Sequence, residues 1–282
     1  MRPAKDYHPP MSLGAGLRFC VAAGLAVGLS CVQVRAAGLP ARPASACAGT
    51  TGPDRLLSLT PEGDLVLSAG GAARLAEIRL PDSGPARPEA EAWLKTLVDR
   101  PLLVTTGPER DRWGRLPVRI RIPDPAGGTD AAEALVESGL AMVDPGTGET
   151  LCRPELLALE ETARERNLGL WADALYKPLD ANRIDRLQDR FGTFVLVEGR
   201  VKSVGERRQR VYLNFGGHWA EDFTIIIPKR TWKTMTDRGA TAASLEGRRI
   251  RVRGILEPWQ GAAITVVVPE MIERLDNARP SR

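Results

Sequence analysis

Histidine is the scarcest chemistry-bearing residue of this chain. There are two among 282 residues, and His8 lies ahead of a segment patterned like a removable leader, which leaves His218. One remaining imidazole argues against zinc centres built on several histidines and makes any Ser/His/Asp triad depend on that residue. His218 lies in the loop-like stretch Phe215-Gly216-Gly217-His218-Trp219, where an ordinary surface histidine is expected. The sequence also lacks a Gly-rich phosphate loop ending in Lys-Ser or Lys-Thr. Carboxylates and arginines are left to carry any chemistry.

Cysteine is sparse as well, four in all. From Met11, an alternative start, Arg18 supplies a positive charge, residues 19–34 form an apolar run, and Val34-Arg35-Ala36 offers small residues for cleavage. This is the pattern of a secretory signal peptide over residues 1–36, and its run is short for a membrane span. The expectation is an exported protein, periplasmic or secreted, with no permanent membrane span. Lipoprotein anchoring through Cys31 is the less favoured reading, because Gly28 stands where a larger aliphatic residue belongs. Loss of the leader removes Cys20 and Cys31 and leaves Cys47 and Cys152, which an oxidising compartment would allow to pair.

The length suits roughly two domains of about 100 to 200 residues each. A net charge of +4 is compatible with a polyanionic partner without requiring one. After an N-terminal arm over 37–53, residues 56–59, 64–67 and 73–80 read as a strand meander. A helix opens near Pro88, with Ala90, Trp93, Leu94, Leu97 and Val98 on its inner face. Strands follow over 102–105 and 118–122, the second alternating Val118, Ile120 and Ile122 with Arg119 and Arg121. Helices are expected over 131–138 and 154–167, closed by Gly139 and Gly169. Residues 176–190 read as a docked helical linker. Beyond it, strands over 194–201, 210–215, 222–227, 248–256 and 264–268, with a helix around Trp232 and Met235 between the third and fourth, give the layout of an OB barrel over 191–275, before a short tail over 276–282.

Three stretches of the first domain, over 54–175, occur in a telling order: Glu62-Gly63-Asp64, then Arg74-Leu75-Ala76-Glu77-Ile78-Arg79-Leu80-Pro81-Asp82, then Asp111-Arg112-Trp113-Gly114-Arg115. With Glu133-Ala134-Leu135-Val136, Gly139-Leu140-Ala141 and Asn167-Leu168-Gly169-Leu170-Trp171, they resemble the staphylococcal nuclease (thermonuclease) family over about residues 54–173. The resemblance implies a helix-decorated OB barrel, and hence a mainly β protein with helices (α+β) built as two tandem five-stranded barrels.

That family holds a calcium ion on carboxylates and surrounds the scissile phosphate with two arginines, which suits a transition state with charge on several oxygens. Arg74 and Arg115 match the two arginines, Asp64 the first metal carboxylate, and Asp82 the glutamate described as general base. Arg79 falls where the second metal-binding aspartate belongs. A guanidinium about 4 Å from a divalent cation is repelled by roughly 8 kcal/mol at an effective dielectric near 20, so calcium affinity should fall steeply. The resemblance therefore implies either hydrolysis of DNA or RNA at a weakened calcium site, or an inactive nuclease-like module that binds nucleic acid or another anion.

In the second barrel the expected ligand loops carry Arg207, Arg208 and Arg210 on one side and Trp259 on the other, cations for phosphate and an aromatic face for stacking. From Phe191 onward there are 16 basic and 10 acidic side chains, an excess that favours polyanions.

Overall fold

The computed structural model describes residues 47–125, 127–217 and 221–276; the expected leader, Cys31, His218 and most of the tail fall outside them. In chain order the first half carries β1 (Thr50–Asp54), β2 (Leu56–Leu59), β3 (Leu65–Leu67), β4 (Gly71–Leu75), β5 (Ile78–Arg79), α1 (Ala86–Lys95), β6 (Leu102–Thr106), β7 (Leu116–Ile122), β8 (Thr129–Asp130), α2 (Ala131–Glu137), β9 (Met142–Val143) and α3 (Glu155–Glu165). The protein is mainly β with helices. The arm expected over 37–53 thus ends in a strand, whose Gly52 and Pro53 disguise it in the sequence. It pairs antiparallel with β6 through the whole of its length.

The main sheet runs β1-β6-β7-β4-β3-β2. Only Arg55 separates β1 from β2, so the chain itself connects the two ends of that path and the sheet must curl. β7 alternates as its sequence does: Val118, Ile120 and Ile122 are buried, whereas Arg121 is exposed. β4 pairs parallel with β7, Arg74 opposite Pro117, which carries Arg74 towards the loop that ends at Arg115. The first helix begins at Ala86, two residues before the expected start, with Pro85 as its N-cap and Pro88 tolerated in the first turn. Trp93 packs against the core only half-buried, while Ala90 and Leu94 are buried.

The strand expected over 73–80 is broken. Glu77 adopts a left-handed φ of 66° and separates β4 from β5. Such a backbone costs about 1 kcal/mol for a non-glycine residue. Here its carboxylate recovers that cost by accepting from the backbone N–H groups of Cys152 and Arg153 and from Arg153 Nε at 2.9 Å. Arg153, 2% exposed, also donates to Asp130, whose side chain caps α2. Cys152, beside it, is disulfide-bonded to Cys47, the pairing expected of the two cysteines left after the leader. The break turns β5 onto β9, with Arg79 opposite Met142.

The expected helical linker over 176–190 is mostly not helix. It holds β10 (Leu179–Asp180), paired parallel with the next strand, and one short helix, α4 (Ile184–Gln188). The second half continues with β11 (Phe194–Arg200), β12 (Ser203–Glu206), β13 (Arg210–Asn214), β14 (Phe223–Pro228), α5 (Lys229–Asp237), α6 (Ala242–Leu245), β15 (Arg249–Ile255), β16 (Ala262–Thr265) and β17 (Ile272–Arg274). One sheet runs β10-β11-β15-β17 and the other β12-β13-β14-β16. Trp232 and Met235 are buried on α5, as their spacing requires.

β11 is buried on both faces. Phe194 and Leu196 join the core of the first half, and Val195 and Val197 that of the second; period-two alternation lets one strand serve two cores. Charges reinforce this seam. Arg253 and Glu160 are both fully buried, and Arg253 Nη2 donates to Glu160 Oε2 at 2.7 Å while its Nη1 donates to the Val143 carbonyl at 2.8 Å. Arg251 donates to Glu198 and Glu161. Part of the basic excess counted in the second half is therefore spent on carboxylates inside the molecule.

Candidate functional site

The end of β4, the loop before β7, and the turn after β9 bring the family-matched residues into two neighbouring clusters of contacts. Arg115, at the start of β7's approach, donates from Nη1 to Asp64 Oδ1 at 2.7 Å and from Nε to Asp111 Oδ2 at 2.9 Å. Asp111 is held by its own loop: Oδ1 accepts from the backbone N–H groups of Trp113 and Arg115, each at 3.0 Å. Arg74 Nε approaches the same Asp111 Oδ2 at 3.5 Å. Burial pushes the Asp111 carboxyl up, and the Arg115 guanidinium with the two backbone donors more than offsets it, so Asp111 ionises below the usual carboxylate range. Burial likewise opposes the charge of Arg115, and its hydrogen bonds to Asp111 and Asp64 outweigh that, raising its affinity for the proton.

Arg79 joins from the other side. Its Nε donates to Asp144 Oδ2 at 3.3 Å, its Nη1 lies 4.0 Å from Asp82 Oδ1, and its guanidinium covers the Phe194 ring at 5.1 Å. Asp144 is fixed in turn by the Gly146 backbone N–H at 2.9 Å. Gly146 has φ +68°, and a Cβ there would lie 3.7 Å from Arg74 Nη2, so this turn passes close to Arg74 as well as Arg79. Asp82 is 63% exposed and its described ion-pair neighbour is Arg79.

These residues do not fit a calcium ion. Calcium takes 6 to 8 oxygen ligands, but the Asp64 carboxylate is engaged by Arg115, and Arg79 places a guanidinium beside Asp82 and Asp144. Among the described residues no three His, Cys, Asp or Glu side chains are grouped so as to hold a metal. Three arginines here face four carboxylates, so a phosphate competes with ion pairs already made.

Beside the pocket, Trp113 is 63% exposed, with the Arg112 guanidinium 3.9 Å and that of Arg115 4.8 Å from its ring centroid. In the sequence this tryptophan stands within the Asp111 to Arg115 motif without a role of its own. The same is true of Asp111, and Asp144 was passed over entirely; the signal available for Asp144 was its place in the turn-forming Asp144-Pro145-Gly146.

In the second half, Arg207 and Arg208 are exposed in the hairpin between β12 and β13, and Arg210 opens β13. Trp259, 42% exposed, has the Arg210 guanidinium 5.8 Å from its ring centroid. Arg210 and Trp259 are thus brought together. Among the described residues no helix is long and apolar enough to cross a membrane.

Residues 73–173 match the family model described as staphylococcal nuclease homologue, which bears out the resemblance over that stretch. The match includes Arg74, Arg79, Asp82, Trp113 and Arg115 and begins after Asp64. No curated protein matches the chain.

Proposed function

We propose that this is a nuclease-like module that binds a nucleic-acid strand without calcium-dependent hydrolysis. The observation that carries the reading is the exposed Trp113 ring, over which the Arg112 and Arg115 guanidiniums lie, with Arg115 tied through Asp111 to Arg74. A base that displaces the Arg112 guanidinium can stack on this ring, a contact worth about 1–3 kcal/mol per base. Arginines beside it can take the flanking phosphates by exchanging Asp64 and Asp111 for them. Hydrolysis is the less favoured reading because the position matched to the second metal carboxylate is a guanidinium already paired with Asp144.

The strand pairings support two tandem OB-like barrels. In the first, β1 and β2 act as one bent strand around Arg55. In the second, β11 and β12 do the same, β14 runs parallel to β16, and a bridge from Glu257 to Ala263 ties the end of β15 to β16. On this reading Arg207, Arg208, Arg210 and Trp259 lie on or beside the loops with which such barrels grip oligonucleotides. Export follows from the leader pattern and agrees with the disulfide.

The test is to incubate the mature protein with single-stranded DNA and RNA, with calcium and with chelator, and to measure both cleavage and binding. The reading expects binding in chelator, no added cleavage with calcium, and at least tenfold weaker binding by Trp113→Ala. Calcium-dependent cleavage lost in Arg74→Ala would instead establish the hydrolase.

A further inference from the structure

Arg79 is neither an exposed strand residue nor a fully neutralised one. β5 carries it into the pocket because Glu77 breaks the strand before it. Three groups then fix its side chain: Asp144 takes Nε, Asp82 stands 4.0 Å from Nη1, and the Phe194 ring lies under the guanidinium plane. Nη2 makes no hydrogen bond among the described residues, and the side chain is 34% exposed. Arg115, by contrast, spends all three of its nitrogens on Asp64 and Asp111. The cationic ends that remain accessible are those of Arg74 and Arg79, and the turn at Asp144 to Gly146 passes close to both.

We infer that Arg79 is the pocket's built-in cation, binding a backbone phosphate together with Arg74 where a metal ion would otherwise supply the charge, and that Phe194, from the second half of the chain, positions it. This rests on the reading of the protein as a nucleic-acid-binding module and adds which phosphate contacts are made and what sets them. A guanidinium is always charged and offers a planar fork of donors that matches a phosphate, so the site needs no metal and no particular pH. Asp144 takes Nε and Asp82 stands beside Nη1, which leaves Nη2 to the ligand. Phe194 holds the plane: its ring face attracts the cation, and it is itself fixed, 6% exposed, in the core of the first half although it belongs to β11. The second half thereby contributes a residue to the first half's site.

The experiment is fluorescence anisotropy of a labelled single-stranded oligodeoxynucleotide in excess chelator, across a range of salt, with the native protein and Arg79→Gln, Arg79→Lys, Phe194→Leu and Trp113→Ala, each checked for its melting temperature. The native protein should bind in chelator. Arg79→Gln should bind at least fivefold more weakly and lose about 0.7 from the slope of log K against log salt, the loss of one single-strand phosphate contact; Arg79→Lys should restore the slope with lower affinity. Phe194→Leu, which keeps an apolar side chain but not the ring face, should weaken binding two- to threefold with the slope unchanged. Native affinity and slope in Arg79→Gln, with weakening in Trp113→Ala, overturn the inference and leave the binding module standing. Native affinity in Phe194→Leu alone overturns the positioning role. No binding by the native protein overturns both the inference and the reading beneath it.

Discussion

Asp111 accepts hydrogen bonds from the Arg115 side chain through one oxygen and from the backbone N–H groups of Trp113 and Arg115 through the other. One carboxylate thus ties an arginine of the pocket to the loop that displays the tryptophan. Asp111→Asn should keep the backbone acceptor and lose the ion pair. The expected result is a loss of about 1–2 kcal/mol in urea unfolding, together with tighter oligonucleotide binding, because Arg115 and Arg74 no longer have to release a carboxylate.

Acid should act through the same residue. Asp111 and Glu273 both ionise below their ordinary values of 3.8 and 4.5, Asp111 through Arg115 and Glu273 through Arg253 and Arg251, in each case against the opposing effect of burial. A carboxylate with a depressed folded value contributes stability that is complete above its unfolded value and lost as pH falls through the folded one. The melting temperature should therefore be flat from neutral pH to about 5 and fall below about 4.5. A scan of melting temperature against pH checks this, and the Asp111→Asn variant should fall less steeply.

Arg79→Asp removes the guanidinium and its pair with Asp144 and gives the pocket another carboxylate near Asp82. Calcium should then stabilise the variant and leave the native protein unchanged. A ligand at about 100 times its dissociation constant adds about 2.7 kcal/mol of stability, which a thermal melt with and without calcium resolves.

Glu160 and Arg253 form a fully buried pair across the seam between the two halves. Removing one partner of such a pair costs about 3–5 kcal/mol because the other charge is left unpaired. Glu160→Gln should lower stability by that order and split a single calorimetric transition into two, since β11 and this pair couple the two cores.

Strands with clean alternation or flanking turns were legible from residues alone: β2 matches residue for residue, and β7 lacks only its first two. So was the Cys47 to Cys152 disulfide, from the two cysteines outside the expected leader. The break at Glu77 was not, because an uninterrupted Arg74 to Leu80 looks like strand and the compensating partner, Arg153, is distant in sequence. β1 hid behind a glycine and a proline, and the linker's short β10 behind a helical spacing of Ile184 and Leu187. At the site, order and spacing marked Arg74, Asp64 and Arg115, and the anomaly at Arg79 was visible as a wrong charge. Its partners Asp144 and Phe194 were not, since each comes from an element whose position depends on tertiary pairing.

The most direct test of the account is calorimetric titration of the native mature protein with a short single-stranded oligonucleotide, in chelator and again in millimolar calcium. The affinity should be the same in both, with no cleavage of the oligonucleotide recovered afterwards. Binding that appears only with calcium, or cleavage in its presence, would contradict it.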